Sequence, residues 1–232
     1  MAQDRARGWT REPLAPVVLS RIGTLPASTE RPMIDSAADL RDHYPQPTGR
    51  AVDKTLDHLD AHCRRFLALA PFAVLASGDA SGRLDASPRG GAPGFVRVHD
   101  ERTLWLPDAP GNNRLDSFSN IAETGRAGLL FLIPGVDETL RVNGSARVRV
   151  EPEVLGAFSS ERRLPRAVLE ITVEEAYLHC AKALMRSRLW RADAQTPREA
   201  LPPTSQILND QTGRADREET QEEMAARYAP DL

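Results

Sequence analysis

Only two cysteines, Cys63 and Cys180, occur in the 232 residues. They make no disulfide framework, so a reducing compartment, the cytoplasm, is the expected setting. Long basic runs are also missing, and the formal net charge is −3. Nothing offers a footprint for a phosphate backbone, and nucleic acid is not an expected partner. No apolar run is long enough to span a bilayer. The N-terminus has arginines but also Asp4 and Glu12, and its one apolar patch, APVVLS, is short. It reads as no secretory signal, and no membrane partner is expected. Neither G-x-G-x-x-G nor G-x-x-x-x-G-K occurs, which argues against a Rossmann dinucleotide site or a P-loop. No Ser-His-Asp, Cys-His or paired-carboxylate constellation stands out, so no catalytic acid, base or nucleophile is assigned. The dipeptides His62-Cys63 and His179-Cys180 lack a spaced second ligand and make poor chelates, so no metal is assigned.

What is present is a chain of short strands with helices set between them. Residues 1–32 are rich in Arg and Pro without a sustained period and read as a disordered arm. Whether Met33 is the true start, or the arm packs on a partner subunit, stays open. A short helix follows Ser36, and a second is expected from about Val52 to Leu69, with Leu56, Leu59, Cys63, Phe66 and Leu67 on one face. FAVLAS, RLDAS, FVRV, TLWLP, AGLLFLIPG, TLRVNGSARVRV and AVLEITVEEAYLHC read as strands, with SPRGGAPG as a loop. A helix is expected from Glu153, and AKALMRSRLW is the last helix of the body. The expected domain spans 33–190, and 191–232 is a polar, partly helical tail. Six or seven strands at hairpin spacing, without regular βα alternation, predict a β-barrel with helices, of the α+β class.

DAPGNNRLDSFSNI, residues 108–121, contains the least ordinary residue. Leu115, Phe118 and Ile121 give a helical face, and Asn112 or Asn113 is the expected N-cap, with Asp116 completing a weak capping box. Arg114 then falls in the first turn, where the helix dipole disfavours a cation. A bound phosphate would reverse that preference, since helix N–H groups and a guanidinium converge on one anion. Gly111 permits close backbone approach, and Asn112 and Asn113 add neutral donors. The bland alternative is a surface arginine paired with Asp108 or Asp116.

Three ordered motifs, SPRG followed by PGFV, then PGNNR, then HCAKAL followed by SRLW, set this turn in context. With them the chain, from Ile34 to Trp190, resembles the pyridoxamine 5′-phosphate oxidase-like flavoproteins, which bind FMN in a split β-barrel. The resemblance implies that Asn113 and Arg114 stand where the family places its phosphate-binding Arg-Lys pair, beside Asn112. It implies that Thr139 stands at the position of a glutamine that touches the flavin ring. Ser87 and Arg89 would lie on a loop lining the FMN, and Lys182, Ser187 and Trp190 on a C-terminal segment that approaches the flavin. It further implies a homodimer with FMN at the interface and an oxidoreductase acting on a small molecule whose identity is unknown. The C-terminal pattern that holds pyridoxal phosphate is absent and Asn113 replaces an arginine, so vitamin B6 is not carried over as substrate. Two alternatives remain open: a flavin- or haem-binding protein of this fold without turnover, or a reductase using a deazaflavin coenzyme.

Overall fold

The computed structural model describes Ile34 and residues 36–231; the expected N-terminal arm lies outside the described residues. The chain divides into two units, Met1–Pro47 and Thr48–Leu232. In the first, helix α1 (Ala37–His43) starts where Ser36 Oγ accepts a hydrogen bond from Asp39 N at 3.1 Å, an N-cap of the usual kind.

The second unit is built on one seven-stranded sheet, with neighbours antiparallel throughout. Its strands are β1 (Phe72–Gly78), β2 (Leu84–Gly90), β3 (Arg97–Val98), β4 (Thr103–Pro107), β5 (Arg126–Leu132), β6 (Thr139–Arg149) and β7 (Val168–His179). They lie in the order β2-β1-β5-β6-β7-β4-β3. Alternation decides which side chains face inward: β6 alternates buried and half-buried residues from Thr139 to Ala146. Leu75 of β1 and Leu104 of β4 belong to the same buried cluster as Phe131, Leu140 and Ile171. In a flat sheet β1 and β4 would lie roughly 19 Å apart, four strand spacings. One core that runs across all of these strands fits a sheet that curls upon itself, and the fold is a split barrel, as expected from the strand pattern. Helix α4 (Asp116–Thr124) packs over β1 and β2, and Ile121 enters the core.

The single helix expected over 52–69 is two pieces, α2 (Arg50–Asp53) and α3 (Ala61–Leu69). Between them Leu56 N and O exchange hydrogen bonds with Ala176 O and N of β7, and Leu59 N donates to Glu101 O at 2.7 Å. Asp60 then caps α3, accepting from Cys63 N at 2.7 Å. The apolar spacing was real, since Leu59, Cys63, Phe66 and Leu67 are all buried. An extended segment buried on one side supplied its first half.

SPRG is a second correction. Ser87, Pro88, Arg89 and Gly90 are not a loop but the end of β2, paired one-for-one with Leu75, Val74, Ala73 and Phe72. Gly91 N donates to Pro71 O at 3.1 Å. Hydrogen-bonded pairs alternate along an antiparallel ladder, so Pro88 falls at a non-hydrogen-bonded position with its missing N–H toward the open edge.

On the outer face of β4, β7 and β6, one carboxylate ties three strands together. Glu170, 6% exposed, accepts from Trp105 Nε1 at 3.0 Å, Arg147 Nε at 2.7 Å and Arg149 Nη1 at 2.7 Å. Burial works to raise its pKa from the ordinary 4.5. The hydrogen bonds from Arg147 and Trp105 and the two arginine charges outweigh burial and lower it. A carboxylate with a lowered native pKa favours folding above its unfolded value, and that contribution is lost as pH falls through the native value. The urea midpoint is therefore expected to fall as pH is lowered below about 4.5. Glu170→Gln should flatten that limb and cost about 1–2 kcal/mol near neutral pH. Identical pH profiles for the two proteins would count against this role.

Helix α5 (Pro152–Gly156) covers part of the same face, with Val154 and Phe158 packed on Val168. After β7 come α6 (Lys182–Ser187), α7 (Thr204–Thr212) and α8 (Gln221–Tyr228), and a final turn at Ala229–Asp231.

Candidate functional site

The loop between β4 and α4 forms one wall of a cavity of about 720 Å³; the inner face of β2 and the segment before β7 form the others. Ser87, Arg89, Asn112, Asn113 and Arg114, drawn from two separate stretches of sequence, all line it. Asp85, Ser87 and Arg89 occupy alternate positions of β2 opposite the inward-facing Ser77, Leu75 and Ala73, so strand periodicity aims all three beneath α4. There Ser117 Oγ donates to Asp85 Oδ2 at 2.5 Å and accepts from Arg89 Nη2 at 3.2 Å. Ser117 is buried, so the guanidinium of Arg89 is held against the helix by a group that cannot move without unpacking it.

Burial works against the charge of Arg89, and Asp108 and Asp85 counter that effect. Burial likewise raises the pKa of Asp108 above the ordinary carboxylate value, with Arg89 and Arg166 opposing the rise. Asp85, Asp108 and Ser117 are site residues that the sequence reading missed. Asp85 shares the two-residue period of Ser87 and Arg89, a signal that becomes visible once SPRG is read as strand. Asp108 directly follows the apolar TLWLP strand; nothing in the sequence singles out Ser117.

The turn that carries Arg114 differs from the expectation. Helix α4 begins at Asp116, and neither Asn112 nor Asn113 caps it. Arg114 N donates to Asn112 Oδ1 at 3.1 Å, an Asx turn, and the arginine stands before the helix rather than in its first turn. The dipole therefore opposes it less than the sequence suggests. Its Nε donates to Asp116 Oδ2 at 2.8 Å, and its side chain is 72% exposed, the pairing of the bland alternative. Asn113 and Leu115 both have φ of +58°. Asparagine tolerates that conformation, but for leucine it costs about 1–2 kcal/mol. Leu115 is also 54% exposed, so no burial offsets the strain. Strain at an exposed apolar residue beside a charged cavity is of the kind found at ligand-binding turns.

Thr139, Lys182, Ser187 and Trp190 are elsewhere; none lines this cavity. Thr139 opens β6 opposite His179. Trp190 Nε1 donates to Val136 O at 2.9 Å, which fixes the half-buried indole on the turn before Thr139. Lys182 is the first residue of α6, and Ser187 Oγ donates to Leu184 O at 3.1 Å within it. These four residues make a second group at the far ends of β6 and β7. His179 Nε2 is buried there with no hydrogen-bond partner among the described residues. Its pKa is lowered by burial and by the charges of Arg141 and Lys54.

No group of three or more His, Cys, Asp or Glu side chains among the described residues could hold a metal. No helix among them is long and apolar enough to cross a membrane.

A seven-stranded antiparallel barrel with a helix, α4, laid over β1 defines a protein of the split-barrel class. The chain belongs to the pyridoxamine 5′-phosphate oxidase family, whose model matches residues 59–180. No curated protein matches the chain. Among solved structures it is similar to HupZ of Group A Streptococcus at 20% identity and a TM-score of 0.42, over 51% of this chain and 92% of that one. It is similar to an FAD-binding protein from Mycobacterium smegmatis at 15% identity and a TM-score of 0.38, over 53% and 97% of the two chains. It is also similar to an FMN-binding protein from Syntrophomonas wolfei subsp. wolfei at 14% identity and a TM-score of 0.37, over 50% and 88%.

Proposed function

We propose that this chain is a cytoplasmic, FMN-dependent oxidoreductase acting on a small molecule, with the flavin bound non-covalently at the interface of a homodimer. The observation that carries the reading is the convergence of Arg89, Arg114 and the Asn112–Asn113 turn on one cavity. Arg114 and the two asparagines would hold the phosphate, and Ser87 and Arg89 the polar edge of the ligand. FMN, when bound, supplies the redox chemistry, which accounts for the absence of a catalytic acid-base constellation among the assigned residues. A fixed Arg89 and a strained turn suit the protein's share of the work, binding and orientation. The unpartnered His179 Nε2 beside Thr139 fits a group that is completed by a ligand.

The split between the two groups of residues supports the dimer reading. A second copy would bring Thr139, Lys182, Ser187 and Trp190 to the cavity that they do not line within their own chain. Phe72 and Leu84, exposed on the outer face of β1 and β2, give that association an apolar component.

Purified protein is expected to be yellow and to release FMN on acid treatment, identified by chromatography. NADH or NADPH should bleach the flavin and air should restore it, which separates an enzyme from a carrier. Release of FAD or haem, or no flavin uptake on reconstitution, would overturn the reading.

A further inference from the structure

The cavity has a second lobe, of about 660 Å³, reached past Arg89, Asp108 and Phe118, which line both. Its character differs from the first. Phe95, Leu106, Phe118 and Pro165 give it apolar walls, and Gly90 and Gly91 leave one side without side chains. Gly91 has little freedom to change, since a Cβ there would stand 2.7 Å from Phe95 Cβ. At its mouth are two adjacent arginines. Arg163 Nη1 holds Asp231 Oδ1 at 3.1 Å, and Arg162 Nη1 donates to Ala229 O at 3.3 Å. Both acceptors come from the same final turn, 67 and 68 residues further along the chain. Pro230 and Asp231 themselves line the lobe.

We propose that this lobe is the substrate pocket, that it takes a small molecule with a flat apolar body and a carboxylate, and that Asp231 occupies the carboxylate position on Arg163 until such a ligand displaces it. The proposal rests on the reading of the first lobe as the phosphate site of FMN. The chemistry is that of the internal occupant. A carboxylate already sits on Arg163 at the rim of the pocket, while two of the other charged groups in its lining are held by neighbours: Arg89 donates to Ser117 Oγ at 3.2 Å, and Glu161 is engaged by Arg97 Nη2 at 2.7 Å. The Arg163–Asp231 pair has side chains 63% and 46% exposed. An ion pair so open to water is weak. A ligand that offers the same carboxylate and also buries an apolar ring gains the area that Asp231 cannot supply.

Benzoate is the probe, with benzyl alcohol as its uncharged counterpart. Both are titrated by calorimetry into the full-length protein in the presence of FMN. Asp231→Asn should tighten benzoate by about 3- to 10-fold by removing the internal competitor. Arg163→Gln should weaken it by about tenfold or more. Benzyl alcohol should bind wild type and both variants alike. Equal benzoate affinity in all three proteins, or no benzoate binding by Asp231→Asn, would overturn the proposal. FMN titrated into wild type and Arg114→Ala tests the underlying reading separately. A benzoate response that tracks Arg163 without FMN uptake would remove the flavin and leave the anion pocket. FMN uptake with benzoate indifferent to Arg163 would do the reverse.

Discussion

Arg114→Ala is expected to weaken FMN by about 10- to 150-fold and to leave riboflavin unchanged. The phosphate is the only part of FMN that the alanine variant cannot hold, and a charge-assisted hydrogen bond to it accounts for the size of the loss. Arg114 is paired with Asp116 at 2.8 Å on an exposed turn. Such a pair contributes little and is easily exchanged. Removing the arginine should therefore leave the thermal midpoint of the flavin-free protein where it was, and the loss should be visible only in binding. Flavin fluorescence titrations of FMN and riboflavin into both proteins decide the matter. Equal FMN affinities would make Arg114 a surface arginine with a local partner and nothing more.

Gly144→Ala should be the most damaging small substitution in the barrel. A Cβ at this position would lie 1.9 Å from Thr172 O and 2.9 Å from Thr172 C. Both are backbone atoms of the neighbouring β7, so neither can rotate away. The glycine sits where the β6–β7 register shifts, between Asn143 and Gly144, in the longest strand pair of the fold. Relief would require the two strands to separate at the bulge that bends them. A loss of roughly 3 kcal/mol or more is expected, read from urea unfolding or as failure to accumulate soluble protein. Gly128→Ala is the control. Its nearest neighbour would be Asn143 Oδ1 at 2.9 Å, the far end of a side chain that can swing aside, so a much smaller loss is expected. Comparable midpoints for the two variants would mean that the bulge is not where the register places it.

The barrel was legible because alternation survives wherever one face of a strand is buried, as in LRVNGSA of β6 and ITVE of β7. Where the reading failed, the local signal was ambiguous in a definable way. SPRG carries the two strongest strand breakers, yet an edge strand accepts both when the proline faces outward. Leu56 and Leu59 match a helical face, but Asp60 resets the chain with a cap between them and Cys63. Arg114 was placed inside a helix because two left-handed residues, one of them a leucine, leave no trace in composition. The candidate site followed the same division. Asn112, Asn113 and Arg114, read from the local turn, and Ser87 and Arg89, read as part of a loop, line one cavity; Asp85, on the same face of β2, stayed hidden because SPRG was not read as strand. Asp108 and Ser117 acquire their meaning only from neighbours distant in sequence. Thr139, Lys182, Ser187 and Trp190 came from family resemblance, and the single chain keeps them away from that cavity.

Pro88 has a consequence for what the barrel cannot become. An open sheet has two rims, and either can seed a ribbon if an incoming strand finds an unbroken row of donors and acceptors. One rim here is β2, interrupted at mid-length by a residue with no donor to offer. The other is β3, two residues long. Neither rim therefore offers an incoming strand an unbroken row to pair with, and the sheet gives little template for a fibre.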